Sequence, residues 1–588
     1  MWASLFSALL STACFSNYHV AVADVVLSVP QTPSSSHIVK QNFLGISFEL
    51  SFMDEYFGND TSTIPPIMTN YLQGIRRRLG DHPLRLRVGG NSMDTSVYDS
   101  NQGSPMVQLR GVDTGNINNQ PANYGPVLWD VLSRVSSNIG GASYLVGLSL
   151  MKPDDPAVPV IAGQCIDTLA LPIIKVVLNT AHATQKLGSN LDAFLLGNEP
   201  DLYTKHGHRP GIANYTTAIY IDEYRSVASR LTSTSAGNLL AKNNLAGPTL
   251  CCHWNLDRLL DDGFVSTFNN ELKYVTVQHY PQNNCFGPGK NRYQIPYYRQ
   301  HANVITLAAW QGSGISKVTS GKQPLIMSEF NSASCGGLPG MSDTYVVGSM
   351  WTIDYALQMA AVGYSAAFIH TRERGITYNL FTVPDGPNGG PGPWTTNPTY
   401  YPLVILAEAL DSQNGVIVTD LDVGGSKTNP NITTAGYSIH DATSKVVRQL
   451  VLFNYANVSS SDGQLETFTI PGGILSPPSG KVTVRYLGAE HMGTAQNIAW
   501  GGQTLAGVGD GEFVASQASW ARPDVQVDCN NGCTIEVPAP GLAIVFSQGS
   551  PLLRDKVAKP SSAPLLVGDV LQTSLSIILG LLCTMSLF

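Results

Sequence analysis

The sequence predicts an α/β fold in two domains, a (β/α)8 TIM barrel followed by an antiparallel β-sandwich. The chain has 588 residues, more than the roughly 250–300 at which a single hydrophobic core stops growing. Between residues 40 and 409, short β-rich runs alternate with helix-like segments, which is typical of a parallel sheet covered by helices. After residue 410 this alternation ends, and short strands are separated by Gly, Pro, Asn and Ser.

Seven strands of the predicted barrel are clear, and an eighth is weak. The clear strands are predicted at 43–48, 84–88, 144–150, 193–196, 274–278, 325–328 and 366–370, and the weak one at 245–250. The helices between them are predicted at 124–137, 166–185, 219–231, 255–264 and 344–362. In the last of these, Tyr355, Met359 and Val362 are spaced by four and three residues, as one face of a helix requires.

The second domain is predicted over residues 410–548. Its strands are expected at 447–455, 466–470, 481–487, 498–500, 534–537 and 543–547. Residues 24–39 precede the barrel, and their apolar run at 25–29 is predicted to add a strand to this second domain.

Both ends of the chain carry features of an exported protein. Residues 1–23 are predicted to be a signal peptide, since an apolar stretch precedes Ala21-Val22-Ala23, although no Lys or Arg comes before it. A buried first strand is the alternative. Residues 549–588 are predicted to form a stalk followed by a lipid-anchor signal, in which small residues at 561–563 precede an apolar tail. The alternative is a disordered apolar terminus. We therefore expect a secreted protein, attached to the membrane only if a glycolipid replaces the tail.

Seven of the nine cysteines are expected in the mature chain, because Cys14 and Cys583 lie in the segments predicted to be removed. Cys529 and Cys533 flank a short turn and are predicted to form a disulfide. The other five allow two bridges and one free thiol, or simply buried thiols, and their pairing stays open: Cys165, Cys251, Cys252, Cys285 and Cys335.

Charge and composition exclude several classes of function. Charged residues make up 13% of the chain, the net charge is −8, and no basic block occurs, which argues against a nucleic-acid partner. No GxSxG, HExxH, P-loop or paired CxxC motif is present, so neither a cofactor nor a metal is predicted. Glycans are expected at the Asn-x-Ser/Thr sequons Asn59, Asn214, Asn431 and Asn457.

Two glutamates occupy matching positions at the ends of predicted barrel strands. Residues 195–201 read LLGNEPD and residues 325–331 read LIMSEFN, which places Glu199 and Glu329 just past hydrophobic runs. In a TIM barrel the carboxyl ends of the strands converge on the active-site face. Retaining glycosidases need two such carboxylates, one as acid/base and one as nucleophile. Each motif alone is also compatible with a solvated loop or a helix cap; the pair within a barrel pattern favours a glycosidase.

Other polar residues follow neighbouring strands. Glu49 follows the strand at 43–48, Asn91 follows Gly89-Gly90, and Tyr280 follows the strand at 274–278. Such groups would hydrogen-bond sugar hydroxyls or stack on a sugar ring. Loop turns and core-edge packing are the alternatives for each of them.

These segments together resemble glycoside hydrolase family 79, the β-glucuronidase and heparanase family, and especially its exported fungal-type members. The matching segments are FLGISFE at 43–49, LRLRVGGNSMD at 84–94, LGNEPD at 196–201, VTVQHY at 275–280, SEFN at 328–331, SDTYVVGSMWTIDY at 342–355, residues 370–382, and WGGQTL at 500–505. Their order along the chain is more specific than the short NEP motif, which a whole clan of retaining barrel enzymes shares.

The resemblance implies a role for most of these residues. Glu199 is implied as the acid/base and Asn198 as a contact to the 2-hydroxyl of the sugar. Glu329 is implied as the nucleophile, with Tyr280 hydrogen-bonded to it and keeping it ionised. Glu49 and Asn91 are implied to line the −1 subsite, which binds the sugar that is cleaved off.

The resemblance is less complete for the group that would bind the carboxylate of a glucuronide. The family uses tyrosines and backbone amides of the later loops, whereas the loop at 332–337 contains no Tyr. Tyr378, close to Arg372 and Arg374, is the candidate. The sequence thus predicts a retaining hydrolase of β-glucuronides or related glycans. A β-glucosidase- or xylanase-like enzyme of the same clan, or a non-catalytic carbohydrate-binding surface protein, is the alternative.

Overall fold

The computed structural model describes residues 24–116, 118–151, 172–234, 237–287, 293–384, 393–549, 551 and 553–555. Three predicted features lie outside the described residues. They are the signal peptide at 1–23 with Cys14, the cysteine at position 165, and the lipid-anchor signal with Cys583. No helix within these ranges combines the length and apolar character needed to cross a membrane.

Eight parallel strands close into a barrel, which confirms the predicted (β/α)8 fold. Each strand pairs with its sequence neighbour, and the last pairs with the first. The strands are β1 Leu44–Glu49, β2 Leu84–Gly89, β3 Ala142–Leu148, β4 Leu191–Leu196, β5 Leu245–Leu250, β6 Leu272–His279, β7 Leu325–Phe330 and β8 Tyr364–Thr371. The weakly predicted strand at 245–250 is β5, the missing eighth member.

The barrel strands are buried on both faces. Leu195 of β4, Ala246 of β5 and Ile326 of β7 belong to a cluster within the barrel, whereas Phe194 and Leu196 pack with the outer layer of helices. Successive side chains of a strand point to opposite faces, so a strand covered on both sides reads as a continuous apolar run. This is why these strands are visible in the sequence.

Helices surround the barrel. They are α1 Met53–Phe57, α2 Pro66–Arg76, α3 Ser92–Thr95, α4 Pro126–Ile139, α5 Pro172–Leu187, α6 Thr217–Thr232, α7 Leu256–Asp261, α8 Phe264–Thr267, α9 Ile295–Tyr298, α10 His301–Ala308, α11 Ser313–Thr319, α12 Thr352–Val362 and α13 Tyr401–Ala409.

Two predicted helices differ from the structure. The single helix predicted at 255–264 is wrong: Gly263 adopts a left-handed φ of 93° and separates α7 from α8, a conformation that glycine takes without a steric penalty. The helix predicted at 344–362 is continuous, but it begins with π-helical turns at Tyr345–Trp351 before α12. Helical periodicity in the sequence does not distinguish the two geometries.

The second domain packs two sheets face to face. The larger sheet contains β9 Val416–Asp420, β10 Thr434–Asp441, β11 Val447–Asn454, β13 Lys481–Gly488, β14 Ala499–Trp500, β15 Gln503–Thr504, β16 Val514–Ala515, β17 Val525–Asp528 and β19 Gly541–Phe546; the smaller one contains Val25–Val26, β12 Leu465–Pro471 and β18 Gly532–Pro538. Val25–Val26 pairs in parallel with β12. The sequence pattern missed β9 and β10.

The larger sheet lies between the smaller sheet and the barrel. Leu450 and Leu452 of β11 belong to the core shared with the smaller sheet, whereas Val451 and Phe453 belong to the core shared with the barrel helices. Strand β11 is therefore apolar on both faces, and its position fixes the second domain against the barrel.

A buried ion-pair network also joins the two domains. Glu408 of α13 accepts from Arg78 Nε at 2.6 Å, from Arg485 Nη1 of β13 at 2.6 Å and from the indole nitrogen of Trp500 at 2.8 Å. Its side chain is fully buried. A buried carboxylate without partners would be costly, so these contacts stabilise one relative placement of the domains.

Three disulfides lie within the described residues. The predicted Cys529–Cys533 bond is present, and Cys285–Cys335 and Cys251–Cys252 are the two further bridges. Of the four sequons, Asn214, Asn431 and Asn457 are exposed and Asn59 is partly buried. Their glycosylation stays a prediction.

Candidate active site

The two predicted catalytic glutamates lie at the same end of the barrel. Glu329 is the last but one residue of β7, and Glu199 follows β4 after Gly197 and Asn198. Glu199 adopts a left-handed backbone, with φ 49° and ψ 56°. A non-glycine residue in this region carries some strain, and such residues cluster at active sites.

Arg87 of β2 hydrogen-bonds Glu329 and also Asn198, the residue that precedes Glu199. Its Nη1 donates to Glu329 Oε2 at 2.5 Å and to Ser47 Oγ at 2.8 Å, and its Nη2 donates to Asn198 Oδ1 at 2.8 Å. The side chain of Arg87 is fully buried. This residue was not among the predicted site residues, although a charged residue between Leu86 and Val88 in a barrel strand was a usable signal.

Glu329 has a second donor on its other oxygen. Tyr280 donates its hydroxyl hydrogen to Glu329 Oε1 at 2.8 Å, and His370 Nε2 lies 3.8 Å from the same oxygen. His370 is itself fixed by Ser47 Oγ, 3.0 Å from its Nδ1. These contacts hold the Glu329 carboxyl in one orientation, as a group that attacks an electrophile requires.

Glu49 lies beside these groups and is almost completely buried. Burial would raise the pKa of its carboxyl, but hydrogen bonding and charge from His370, with Arg372 and Ser92, outweigh it and lower that pKa to about 2. The backbone nitrogen of Ser92 donates to Glu49 Oε1 at 2.9 Å. A Cβ at Gly90 would lie 2.2 Å from Glu49 Oε2, so the turn after β2 needs a glycine there.

Asn198 and Asn91, two of the predicted site residues, are in direct contact. Asn198 Nδ2 donates to Asn91 Oδ1 at 3.2 Å. The backbone nitrogen of Asn198 donates to Asp94 Oδ2 at 2.9 Å, and Gln278 Nε2 donates to Asn198 Oδ1 at 3.0 Å. In the alternative amide orientation, the Gln278 nitrogen faces Glu199 Oε1 at 3.1 Å. The side chain of Asn198 is therefore fixed next to Glu199.

The two glutamates have different electrostatic surroundings. Burial raises the pKa of Glu199 well above its usual range, and the charges of Glu329 and Asp201 raise it further, whereas Arg87 lowers it. Glu329 has direct hydrogen bonds from Arg87 and Tyr280. A carboxyl group with a raised pKa beside a second one that is held by hydrogen bonds is compatible with an acid and a nucleophile.

Tyr378 is buried, and its ring centre lies 6.3 Å from that of His370. It therefore borders the same group of residues as Glu49 and Glu329. Arg372 is also buried, and it donates to Glu373 Oε2 and to the backbone oxygen of Asn118.

Arg374 is directed away from this group of residues. Its backbone nitrogen donates to Glu55 Oε2 at 2.6 Å, and its Nε donates to Glu55 Oε1 at 3.3 Å. Tyr378, the predicted candidate for binding a sugar carboxylate, lies beside His370 and so near Glu49 and Glu329.

A disulfide joins two loops at the rim. Cys285 follows β6 and Cys335 follows β7, and Asn118 Nδ2 donates to Cys335 Sγ at 3.3 Å. Gly336 and Gly337 come next, and Thr377 Oγ1 donates to the Gly336 oxygen at 2.9 Å. The loop that lacks a tyrosine is therefore held against the segment that carries Tyr378.

Comparisons with known proteins agree with this arrangement. Residues 436–544 match the family model of the glycosyl hydrolase family 79 C-terminal beta domain. A beta-glucuronidase from Neurospora crassa is 22% identical over 380 residues, which are 62% of this chain and 62% of that protein. The chain thus matches less than two thirds of the length of that relative.

Solved structures share the fold at low identity. A 4-O-alpha-L-rhamnosyl-beta-D-glucuronidase from Fusarium oxysporum 12S aligns with a TM-score of 0.66 and 18% identity, over 89% of this chain and 100% of that chain. A family 51 alpha-L-arabinofuranosidase from Bifidobacterium longum aligns with a TM-score of 0.54 and 12% identity, over 89% and 99%. The family-model match and the beta-glucuronidase relative confirm the resemblance indicated by the sequence motifs, and the solved structures agree with the fold.

Proposed function

We propose that this chain, which carries the C-terminal β domain of glycoside hydrolase family 79 and resembles that family over its barrel, is a retaining β-glucuronidase. The observation that carries the proposal is the buried Arg87, which hydrogen-bonds Glu329 and also Asn198, the neighbour of Glu199. These contacts support the proposal, because a double displacement requires a nucleophilic carboxylate held in a fixed position relative to the acid/base.

In the first step, Glu329 attacks the anomeric carbon while the bond from that carbon to the leaving oxygen breaks. Glu199 gives its proton to that oxygen. Arg87 and Tyr280 hold the attacking carboxylate in one orientation, which lowers the entropic cost of reaching the transition state. Asn198, held next to Glu199 by Arg87, is assigned the contact to the 2-hydroxyl of the sugar, which strengthens in such transition states.

In the second step, water replaces Glu329 at the anomeric carbon. The charge of Glu329 is one cause of the raised pKa of Glu199, and this charge disappears when Glu329 becomes an ester. The pKa of Glu199 then falls, so Glu199 accepts a proton from the attacking water. The bond from the anomeric carbon to Glu329 breaks, and the sugar leaves with its original configuration.

Recognition of the sugar carboxylate is assigned to Tyr378 and the adjoining loop. Tyr378 is buried beside His370, and the backbone of Gly336 and Gly337 lies against Thr377. A tyrosine hydroxyl and backbone amides are donors that bind a carboxylate without adding a full charge to the site. These groups take the place of the tyrosine that is missing from the loop at 332–337.

The test is hydrolysis of a panel of 4-nitrophenyl β-glycosides by the purified protein, with the anomer of the first product followed by NMR. The expected result is a kcat/KM for the β-glucuronide that exceeds those for the β-glucoside and β-xyloside by orders of magnitude, with the β-anomer formed first. Preference for a neutral sugar would support the related β-glucosidase- or xylanase-like activity instead. An α-anomer as first product would exclude retention.

We also propose that the enzyme acts outside the cell and is attached to its surface by a glycolipid. Three disulfides and three exposed sequons support export. Treatment of intact cells with a phosphatidylinositol-specific phospholipase C tests the attachment: release of activity into the medium is expected. Activity that stays on the cells after a known anchored protein has been released would contradict it.

A further inference from the structure

Two adjacent cysteines directly after β5 form a disulfide beside Glu199. One oxygen of the Glu199 carboxyl and the sulfurs of Cys251 and Cys252 all lie within 4.8 Å of one another, and the two sulfurs are bonded to each other. The thiolate is the form of cysteine that binds metals, so these bonded sulfurs are not metal ligands. The mechanism above gives this disulfide no role.

Asp201 fixes the disulfide relative to Glu199. Its carboxylate accepts from the backbone nitrogens of Cys251 at 3.1 Å, Cys252 at 2.6 Å and His253 at 2.7 Å. Asp201 itself is only two residues beyond Glu199 and is buried. The loop after β5 and the acid/base segment after β4 therefore form one rigid unit.

The disulfide lies across the barrel mouth from three residues of the proposed −1 sugar site. Glu49 ends β1, and Asn91 and Tyr378 follow β2 and β8, whereas the disulfide follows β5, between β4 and β6. Cys251 is 5% exposed and Cys252 is exposed. The disulfide therefore has an exposed side beside Glu199, across the barrel mouth from Glu49, Asn91 and Tyr378.

The position of Glu199 determines which part of a substrate lies next to the disulfide. A general acid must come within roughly 2.6–3.2 Å of the oxygen that it protonates. The first group of the aglycone is bonded to that oxygen and leads away from the sugar. Since the sulfurs lie within 4.8 Å of the Glu199 carboxyl, a group bonded to that oxygen is within reach of the disulfide.

We propose that the Cys251–Cys252 disulfide forms a wall of the leaving-group subsite and packs against the apolar face of the first aglycone ring. The inference rests on the proposed glucuronidase function and adds a binding contact to it. Bonded sulfur is polarisable and lacks a strong hydrogen-bond donor, so it favours an aromatic ring or the C–H face of a sugar over a charged group. No bond forms or breaks at the sulfurs in this role.

The test compares the two substrates 4-nitrophenyl β-glucuronide and β-glucuronosyl fluoride. The fluoride has the same sugar but no ring at the leaving-group subsite. In the double variant Cys251→Ala/Cys252→Ala, we expect the ratio of kcat/KM for the aryl substrate to that for the fluoride to fall roughly 2- to 10-fold, the range of sulfur–aromatic contacts. The matched control Cys529→Ala/Cys533→Ala removes a disulfide of the second domain and should leave the ratio unchanged.

An unchanged ratio in the Cys251→Ala/Cys252→Ala variant would overturn the inference. This includes an equal loss of kcat/KM on both substrates, because such a loss would show a purely structural role. If the unaltered protein does not hydrolyse the fluoride, the proposed function itself fails; the two failures are thus distinguishable. If the double variant does not fold, the same ratio is measured on the Cys529→Ala/Cys533→Ala protein before and after reduction, with the Cys251 and Cys252 thiols verified by mass spectrometry. A ratio unaffected by reduction would equally overturn the inference.

Discussion

Arg87 Nη1 donates to Glu329 Oε2 at 2.5 Å from a guanidinium group that is fully buried. The same guanidinium donates to Asn198 Oδ1 through Nη2. The planar arrangement of its donors therefore sets the orientation of the proposed nucleophile relative to the acid/base segment. Arg87 is a positioning residue, because it acts on substrate through Glu329 and Asn198.

Replacement of Arg87 by lysine should lower kcat on aryl β-glucuronides by roughly 10²- to 10³-fold, the usual effect of removing one fixed donor from an active site. A lysine cannot donate to both acceptors in the same fixed geometry. Steady-state kinetics measure this, and Arg85→Lys, on the same strand but only partly buried, is the matched control. A kcat for Arg87→Lys equal to that of the control would show that the contact to Glu329 does not matter.

Replacement of Glu329 by glutamine should lower the pKa of Glu199. Burial and the charge of Glu329 are the two largest causes of the raised pKa of Glu199, and the variant removes the second one. In the unaltered enzyme Glu199 must be protonated for the first step, so activity should be lost as pH rises through the raised pKa. NMR titration of carboxyl carbons measures the shift, with the exposed Glu490→Gln as control. A pKa of Glu199 that does not change in Glu329→Gln would contradict the proposed interaction.

Replacement of Tyr378 by phenylalanine should reduce the preference for glucuronides over glucosides. The hydroxyl is the proposed donor to the sugar carboxylate, and the loss of a hydrogen bond to a charged group corresponds to roughly 10- to 100-fold in kcat/KM. The 4-nitrophenyl β-glucoside serves as the internal control, because it lacks the carboxylate. If kcat/KM for both substrates fell by the same factor, Tyr378 would not read the carboxylate.

His301 should make the stability of the protein depend on pH. It lies between Asp354 of α12 and Asp420 of β9. Burial would lower its pKa, but these two carboxylates outweigh that effect and raise it to about 10. The stabilisation should be complete below the unfolded pKa of about 6.5 and decline as pH rises towards 10.

Thermal unfolding at several pH values tests this expectation. The difference in Tm between the unaltered protein and His301→Gln should be larger at pH 6 than at pH 10. The exposed His491→Gln variant provides the control. A Tm difference for His301→Gln that stays constant over this range would refute a stabilising imidazolium between the domains.

The sequence predicts the barrel and the two glutamates for a simple physical reason. Strands buried on both faces are mostly apolar, so their carboxyl ends can be recognised in the sequence at the positions of Glu199 and Glu329. The strands β9 and β10 were missed, although they belong to the larger sheet of the second domain. In β10, the polar residues Ser438 and His440 are buried in side-chain and backbone hydrogen bonds and interrupt the apolar pattern. In β9, the apolar run at 416–418 was a usable signal.

The connections within the site were not predictable from one sequence. The role of Arg87 depends on contacts to residues of three other strands or strand ends, and no local pattern encodes them. The same holds for the cysteines: the pairing of Cys285 with Cys335 depends on how two loops meet above the barrel. The break at Gly263 is a local feature, but a glycine inside an apolar run is also compatible with a continuous helix.

Covalent trapping tests the proposed mechanism most directly. The protein is incubated with 2-deoxy-2-fluoro-β-glucuronosyl fluoride, which forms the glycosyl-enzyme but slows its hydrolysis, and the labelled peptide is identified by mass spectrometry. The expected result is one fluoroglucuronosyl group on Glu329, and none in Glu329→Gln. A label on any other residue, or turnover of the reagent by Glu329→Gln at the rate of the unaltered protein, would contradict the assignment of Glu329 as the nucleophile.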